Sequence, residues 1–222
     1  MTQATANPGP GKRVGDYEIH LRGSGTQFKN PVLERFSHCH GLVPLFLYAP
    51  VVALCFVMMA TDTTIAAATA VALTGAGIVF WTFFEYWMHR EFFHWKRYPK
   101  MHHFIHGIHH VYPNDKGRMV MPPGASLAVA IPMWFLVLGI FGYENALPFY
   151  AGFVIGYVWY DETHFWTHVG KARSRWGKFL KKHHMMHHFH SHALRYGVST
   201  PIWDKVFGTM PKVDPKDERT SL

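Results

Sequence analysis

Four apolar runs limit what this chain can become. They extend from about Gly41 to Ala60, Ile65 to Met88, Gly124 to Tyr143 and Ala146 to Trp166. Each meets the length of roughly 20 residues that a helix needs to cross a hydrocarbon core about 30 Å thick. Residues 41–88 contain only Asp62 and Glu85 as charges, and residues 119–160 only Glu144. Thr61-Asp62-Thr63-Thr64 joins the first two runs and a turn around Glu144-Asn145 joins the last two, so the runs pair as two hairpins. Pro44, Pro50 and Pro132 are compatible with membrane helices, because neighbours satisfy the carbonyls they free. A helix buried in a soluble core is also apolar all round. Four such runs, paired as hairpins in a chain of 222 residues, favour the bilayer.

A mean hydropathy of −0.03 conceals this pattern, since the rest of the chain is polar and basic. The net charge is +8, from 22 Lys and Arg against 14 Asp and Glu. Every one of the 22 lies before the first run, between the second and third, or after the fourth. By the positive-inside rule the termini and the central segment are cytoplasmic. The basic residues flank apolar runs and form no basic stripe, which excludes a nucleic-acid reading. Cys39 and Cys55 are too few for a disulfide framework. No apolar core with a cleavage site follows Met1, so no signal peptide is expected. The expected organisation is a polar cytosolic arm over 1–40, a membrane domain over 41–211 and a tail over 212–222. The expected fold is an all-α integral membrane protein with four transmembrane helices and a cytosolic helical cap.

That cap holds most of the 18 histidines. The central segment reads His89-Arg-Glu-Phe-Phe-His94 and then His106-Gly-Ile-His109-His110. The C-terminal segment reads His164-Phe-Trp-Thr-His168 and then His184-Met-Met-His187-His188. On an α-helix, positions i, i+3 and i+4 put the three imidazoles of each His-x2-His-His motif on one face, and His164 shares a face with His168. His89 and His94 are about 140° apart on an ideal helix, so they require a helix end or two separate metals. Each half is thus a hairpin of spans followed by five histidines, and the two His-x2-His-His motifs lie 78 residues apart.

Neutral imidazole suits Fe, Zn, Cu and Ni. Ten ligands exceed the coordination of one ion, so a dimetal site fed equally by both halves is expected. A lone His-x2-His pair is commonly solvent-facing, and a metal-buffering tract lacks fixed spacing. Hydrolysis by zinc calls for an open position and a carboxylate base, as in His-Glu-x-x-His. The chain has no such motif. An aromatic membrane bundle opening onto the cluster suits a lipid chain, and oxidation of an unactivated C–H bond needs a redox metal, O2 and a dry cavity. Asp115 and Asp161 are candidates to orient imidazoles through hydrogen bonds, with helix or turn capping as the alternative. Trp159, Tyr160, Phe165 and Trp166 either line the chain's path or form a lipid-facing aromatic belt.

At these motifs the chain resembles the fatty acid hydroxylase (sterol desaturase) superfamily of membrane di-iron enzymes, most closely its fatty acid 2-hydroxylase branch. The run His106-Gly-Ile-His-His-Val-Tyr-Pro-Asn-Asp-Lys-Gly-Arg-Met-Val-Met-Pro-Pro123 is similar to that branch's His-Gly-x-His-His segment with its trailing Val-Met-Pro-Pro. Tyr160-Asp-Glu-Thr-His164 resembles its Tyr-Asp-x-x-His signature, and Gly197-Val-Ser-Thr-Pro-Ile-Trp-Asp-Lys-Val-Phe-Gly-Thr209 its C-terminal ending. The similarity covers roughly residues 36–211.

The resemblance implies a membrane di-iron monooxygenase that hydroxylates a long-chain fatty acyl group of a lipid, at C2, using O2 and external electrons. His89, His94, His106, His109, His110, His164, His168, His184, His187 and His188 are the implied ligands of two Fe ions, with Zn as a substitute in isolated protein. His102 also falls on a histidine of the family pattern and is kept as a supporting candidate. His103, His183, His190 and His192 lie close by, whereas His20, His38 and His40 match no motif and are expected at the surface or interface. Some relatives carry a fused cytochrome b5 domain with a His-Pro-Gly-Gly haem motif. This sequence has none, so a separate donor of the cytochrome b5 or ferredoxin type is implied. The competing readings are a sterol or carotenoid oxygenase or desaturase of the same superfamily, and a non-catalytic membrane metal-binding or transport protein. Transport would call for ionisable residues along the spans; Asp62 and Glu144 sit in turns, and Glu85 lies one turn from the cluster.

Overall fold

The computed structural model describes residues 11–15, 17–95, 97 and 102–211. The tail over 212–222 lies outside them. The chain is mostly helical, and three of its helices are long and apolar enough to cross a membrane. Helix α1 (Pro31–Phe36) starts on Asn30, whose side chain accepts from the Val32 and Leu33 amides, with Pro31 in the first turn. Helices α2 (Val43–Asp62) and α3 (Ala67–Trp87) form the first hairpin. A π-helical turn, Met88–Phe93, prolongs α3. After a second π turn, His103–Gly107, comes the single-turn α4 (Ile108–Val111). The long α5 (Pro123–Val169), α6 (Arg175–Phe189) and the short α7 (Ile202–Val206) complete the chain.

The third and fourth apolar runs form the two helical arms of α5, which meet at a kink. Forty-seven residues at 1.5 Å each would make a rod of about 70 Å, more than twice a hydrocarbon core. The chain instead turns back at Gly142, whose φ of 71° and ψ of 166° suit only glycine. Tyr150 then donates to the Ala130 carbonyl at 3.1 Å, and Trp134 packs edge-on against the Tyr150 ring. The turn therefore falls at Gly142, slightly before the expected Glu144-Asn145.

Both hairpin turns meet at one end of the bundle, where Tyr143 donates to Asp62 at 3.2 Å and the Thr64 amide to Glu144 at 3.3 Å. The histidines are at the other end. Helix α3 crosses α5 with backbones nearly touching. A Cβ on Gly77 would lie 2.1 Å from the Phe149 carbonyl oxygen, and one on Gly152 2.0 Å from that of Thr74. Lipid removes most of the hydrophobic drive between helices, so such close packing of small residues holds the bundle. Trp81, Phe153, Tyr157 and Tyr160 continue this contact toward the histidines.

One correction concerns the N-terminal arm. It contains an antiparallel pair, β1 (Lys12–Val14) and β2 (Tyr17–Ile19), in register Lys12↔Ile19 and Val14↔Tyr17, so the chain is not wholly helical. The arm packs against the segments that follow α3. The His20 amide donates to the Val111 carbonyl at 2.8 Å, and the buried Arg118 binds Gln27, Glu34 and Ser37. The alternating buried Val14, Tyr17 and Ile19 bury their side chains against Val111 and Phe189.

Candidate metal centre

The ten histidines singled out by their spacing converge in two groups of five. The first comprises His89, His94, His106, His110 and His187, and the second His109, His164, His168, His184 and His188. Within each group the candidate ligand atoms lie within 4.8 Å of one another. Nε2 atoms approach one another to 2.9–3.2 Å in both groups. Only some of these contacts can be N–H···N hydrogen bonds, because a neutral imidazole carries one proton. A cation accepts every converging lone pair at once.

Protonation state supports that fit. Burial holds His94, His106, His109, His110, His184, His187 and His188 well below the ordinary imidazole value, and repulsion among the neighbouring rings adds to it. All seven are therefore neutral at neutral pH, the form in which an imidazole can bind a metal. His110 has both ring nitrogens buried with no hydrogen-bond partner among the described residues, a costly state that an ion would relieve. Each group can hold a metal ion.

The backbone explains the spacings. His94 N donates to His89 O at 3.2 Å, an i→i+5 bond that stacks residues five apart as an α-helix stacks residues four apart. Their Nε2 atoms lie 3.2 Å apart in the same group, so the geometry places the pair at one candidate centre and not at two. The structure also divides the His-x2-His-His motifs, which spacing left unassigned between the two groups. The outer members, His106 with His110 and His184 with His188, stay together, but His109 and His187 cross to the opposite group. Three rings at i, i+3 and i+4 span about 100° of helix surface, enough to face two adjacent centres. Each half thus supplies four histidines to one group and one to the other.

Carbonyl groups orient the rings. His89 Nδ1 donates to the Tyr196 carbonyl at 2.5 Å and His187 Nδ1 to that of Leu194 at 2.7 Å, which turns each Nε2 lone pair inward, where a metal ion could accept it. Two buried carboxylates hold this loop. Glu85 accepts from the Ser199 and Val198 amides at 2.9 and 3.2 Å, and Asp204 from the Tyr196 and Gly197 amides at 2.8 and 2.9 Å. Burial pushes Asp204 up, but hydrogen bonds from His183 and Thr209 outweigh it and keep its carboxyl below the usual value. In the second group, the backbone of Met119 lies beside the His164 ring and that of Pro113 beside the His168 ring. Asp161 holds that segment by accepting from the Met121 amide at 3.0 Å.

Asp161 therefore binds no histidine among the described residues; it also accepts from Tyr157, and it acts on the site through the loop. Asp115 caps the turn Lys116–Arg118 through the Gly117 amide and pairs with Ser24 and Arg118. The capping alternative describes it. His102 lies outside both groups, at the rim, where it bonds to Tyr17 and packs against His94. His183 pairs with Asp204, His190 is exposed, and His192 bonds to the His188 carbonyl; the His103 side chain is outside the described residues. His20 stacks on Tyr112, His38 joins Arg118, and His40 is exposed. Of the four aromatics, Tyr160 is buried and stacks on His164, whereas Trp159 is 63% exposed on the bundle's outside. Glu85, Asp204, Leu194 and Tyr196 had no assigned role at the site from sequence. The available signal was a carboxylate one turn before the first histidine of each half, Glu85 before His89 and Asp161 before His164.

Comparison with known proteins agrees with this geometry. The fatty acid hydroxylase family matches residues 74–209, which contain all ten histidines. A dihydroceramide fatty acyl 2-hydroxylase of Arabidopsis thaliana is 39% identical over 141 residues, covering 62% of this chain and 60% of that protein. A ceramide very long chain fatty acid hydroxylase of Schizosaccharomyces pombe is 32% identical over 202 residues, 86% of this chain and 56% of that protein. The solved structure of full-length scs7p, with only its hydroxylase domain visible, superposes with a TM-score of 0.79 at 33% identity, over 85% of this chain and 72% of that one. The chain thus spans about 60% or less of the length of these two curated relatives. The match through both histidine-bearing halves establishes that the chain belongs to the fatty acid hydroxylase family.

Proposed function

We propose that the protein is a membrane di-iron monooxygenase that hydroxylates the long-chain acyl group of a lipid at C2, with O2 and electrons from a separate carrier of the cytochrome b5 or ferredoxin type. The observation that carries this reading is the pair of five-imidazole groups at the end of an apolar bundle. The Arabidopsis relative is a dihydroceramide fatty acyl 2-hydroxylase and the Schizosaccharomyces pombe one a ceramide very long chain fatty acid hydroxylase; both support the substrate class, and the first supports the carbon. In this reading all ten histidines are iron ligands. The two arms of α5 are separate crossings, four in all, and the basic segments put the termini and the histidine cap on the cytoplasmic side.

Bound iron supplies the oxidising power that an unactivated C–H bond requires. The protein's own part is positioning and dryness. The ring nitrogens bonded to Leu194 and Tyr196 set the direction of their opposite lone pairs. Two adjoining apolar crevices share Trp81, Met121 and Val129. One reaches Tyr48 and Phe153 in the bundle, and the other reaches Phe93 and Tyr160 beside the histidines. As they stand these crevices hold only about 20 and 10 Å³, so an acyl chain enters once their side chains part; along that line its carboxyl-proximal carbon faces the cluster while the aromatic walls exclude water.

Expression in a host lacking 2-hydroxylated lipids, with mass spectrometry of total lipids, tests the reading. Acyl chains gaining one oxygen at C2 are expected, dependent on O2 and lost in His184→Ala. Oxygen on sterols or carotenoids, or no O2-dependent product with full iron loading and a supplied donor, would overturn it.

A further inference from the structure

Two short helices of the cap are built inside out. In α1 the polar side faces the protein: Glu34 pairs with the buried Arg118 and accepts from the Gln27 and Phe28 amides, while Ser37 accepts from Arg118 at 2.9 Å. Its apolar residues face outward, with Val32 60%, Leu33 48% and Phe36 71% exposed. Helix α7 repeats the arrangement. Asp204 is fully buried and Trp203 donates to Thr82 at 2.9 Å, but Ile202 is 57%, Val206 62% and Phe207 46% exposed. A helix on the surface of a water-soluble domain places its charges outward and its apolar stripe inward. The inversion points to a medium other than bulk water outside these two faces.

Their positions say what it is. Six residues separate α1 from α2, and α7 packs through Trp203 on Phe83 near the histidine end of α3. Both faces therefore continue the apolar exterior of the spanning helices at the level where the cap begins. The acidic residues of the two helices, Glu34 and Asp204, are engaged inward. The exposed charges on and beside them, Lys29, Arg35 and Lys205, are all basic. Apolar side chains with basic neighbours fit the headgroup and upper acyl layer of an anionic bilayer.

We infer that α1 and α7 are interfacial helices that seat the cap on the anionic surface of the bilayer. The inference rests on the membrane reading of the long helices and not on the hydroxylation chemistry. It is tested on the full chain in nanodiscs of phosphatidylcholine with phosphatidylglycerol. Nitroxide labels go on Phe36→Cys and Ile202→Cys in a Cys39→Ser, Cys55→Ser background, and on Leu54→Cys of α2 and Glu18→Cys of β2 as references. Collision of each label with O2, which concentrates in lipid, and with a chelated nickel ion, which stays in water, is read by power saturation.

The O2-to-nickel ratio at positions 36 and 202 should fall between the high value at 54 and the low value at 18, and should drop when phosphatidylglycerol is omitted. Ratios equal to that at 18 would overturn the inference while leaving the spans intact, as would shielding from both colliders, the mark of a protein partner. A ratio unchanged by lipid charge overturns the anionic-surface assignment. An aqueous value at 54 itself would instead refute the membrane reading. Val32→Cys and Val206→Cys repeat the measurement on the same faces, with bound metal as the check on folding.

Discussion

The two histidine groups reach the same arrangement with different backbones. The first is assembled from irregular pieces: two π turns, the single-turn α4 and one crossing residue, His187. The second comes from the regular helices α5 and α6, with His109 crossing to it. A five-residue interval between His89 and His94 does in a π turn what the four-residue interval between His164 and His168 does in an α-helix. Ring convergence is thus the common feature, and helix type is secondary. The supports are crossed as well. The loop after the second His-x2-His-His motif orients His89, and the loop after the first contacts His164. Glu85 and Asp161, each one turn before the first histidine of its half, hold the loops of opposite halves.

The hardest test of this crossed arrangement is removal of the crossing ligands. His187→Ala should empty the first group and His109→Ala the second, each reducing bound metal by about half and abolishing lipid hydroxylation, as measured by elemental analysis and lipid mass spectrometry. Loss from the same group in both variants would contradict the crossing. Next in size are the loop anchors. Asp204→Asn and Glu85→Gln should weaken metal binding at the first group by about 10–100-fold, the usual cost of disturbing a ligand's support. Asp161→Asn should do so at the second group, and competition with a graded chelator separates the two.

Acid should affect both groups alike. Burial lowers the folded-state values of seven rings below the ordinary value near 6.5. The unfolded chain then binds more protons, so stability of metal-free protein is retained above about pH 6.5 and falls as the pH drops below it. Thermal unfolding in detergent across that range checks the sign; greater stability at pH 5 than at pH 7 would refute it. Deleting Phe92 gives the first half the four-residue interval of the second, and metal content should stay near that of the unaltered protein if the π turn is the equivalent of an α-helical turn. The smallest effect is expected from Tyr17→Phe, which removes the bond to His102 at the rim and should leave metal content unchanged.

Much of this was legible because it is local. Apolar runs report a bilayer through length and charge alone, and α2 and α3 begin and end within about two residues of the expected limits. Glycine punctuation was less clear: Gly142 turns the chain because its backbone adopts a positive φ, while Gly77 and Gly152 permit close contact. Spacing singled out the ten histidines, eight of them in i, i+3 and i+4 patterns and His89 with His94 as a pair five apart, which a π turn brings together. It did not divide them between the groups. Helix phase places His106, His109 and His110 on one surface, but the position of the opposing helices decides which centre each ring faces.

The sequence by itself determined the apolar segments, the basic flanks and the ten imidazoles in duplicate order. These follow from composition and periodicity, which need no partner. Tertiary structure alone decided the crossing of His109 and His187, the work of Glu85 and Asp204 on the carbonyls behind His89 and His187, and the outward apolar faces of α1 and α7. Each depends on which distant backbone amide, carbonyl or cation comes within about 3 Å of a side chain, and hydrogen-bond reach is set by packing between segments far apart in the chain.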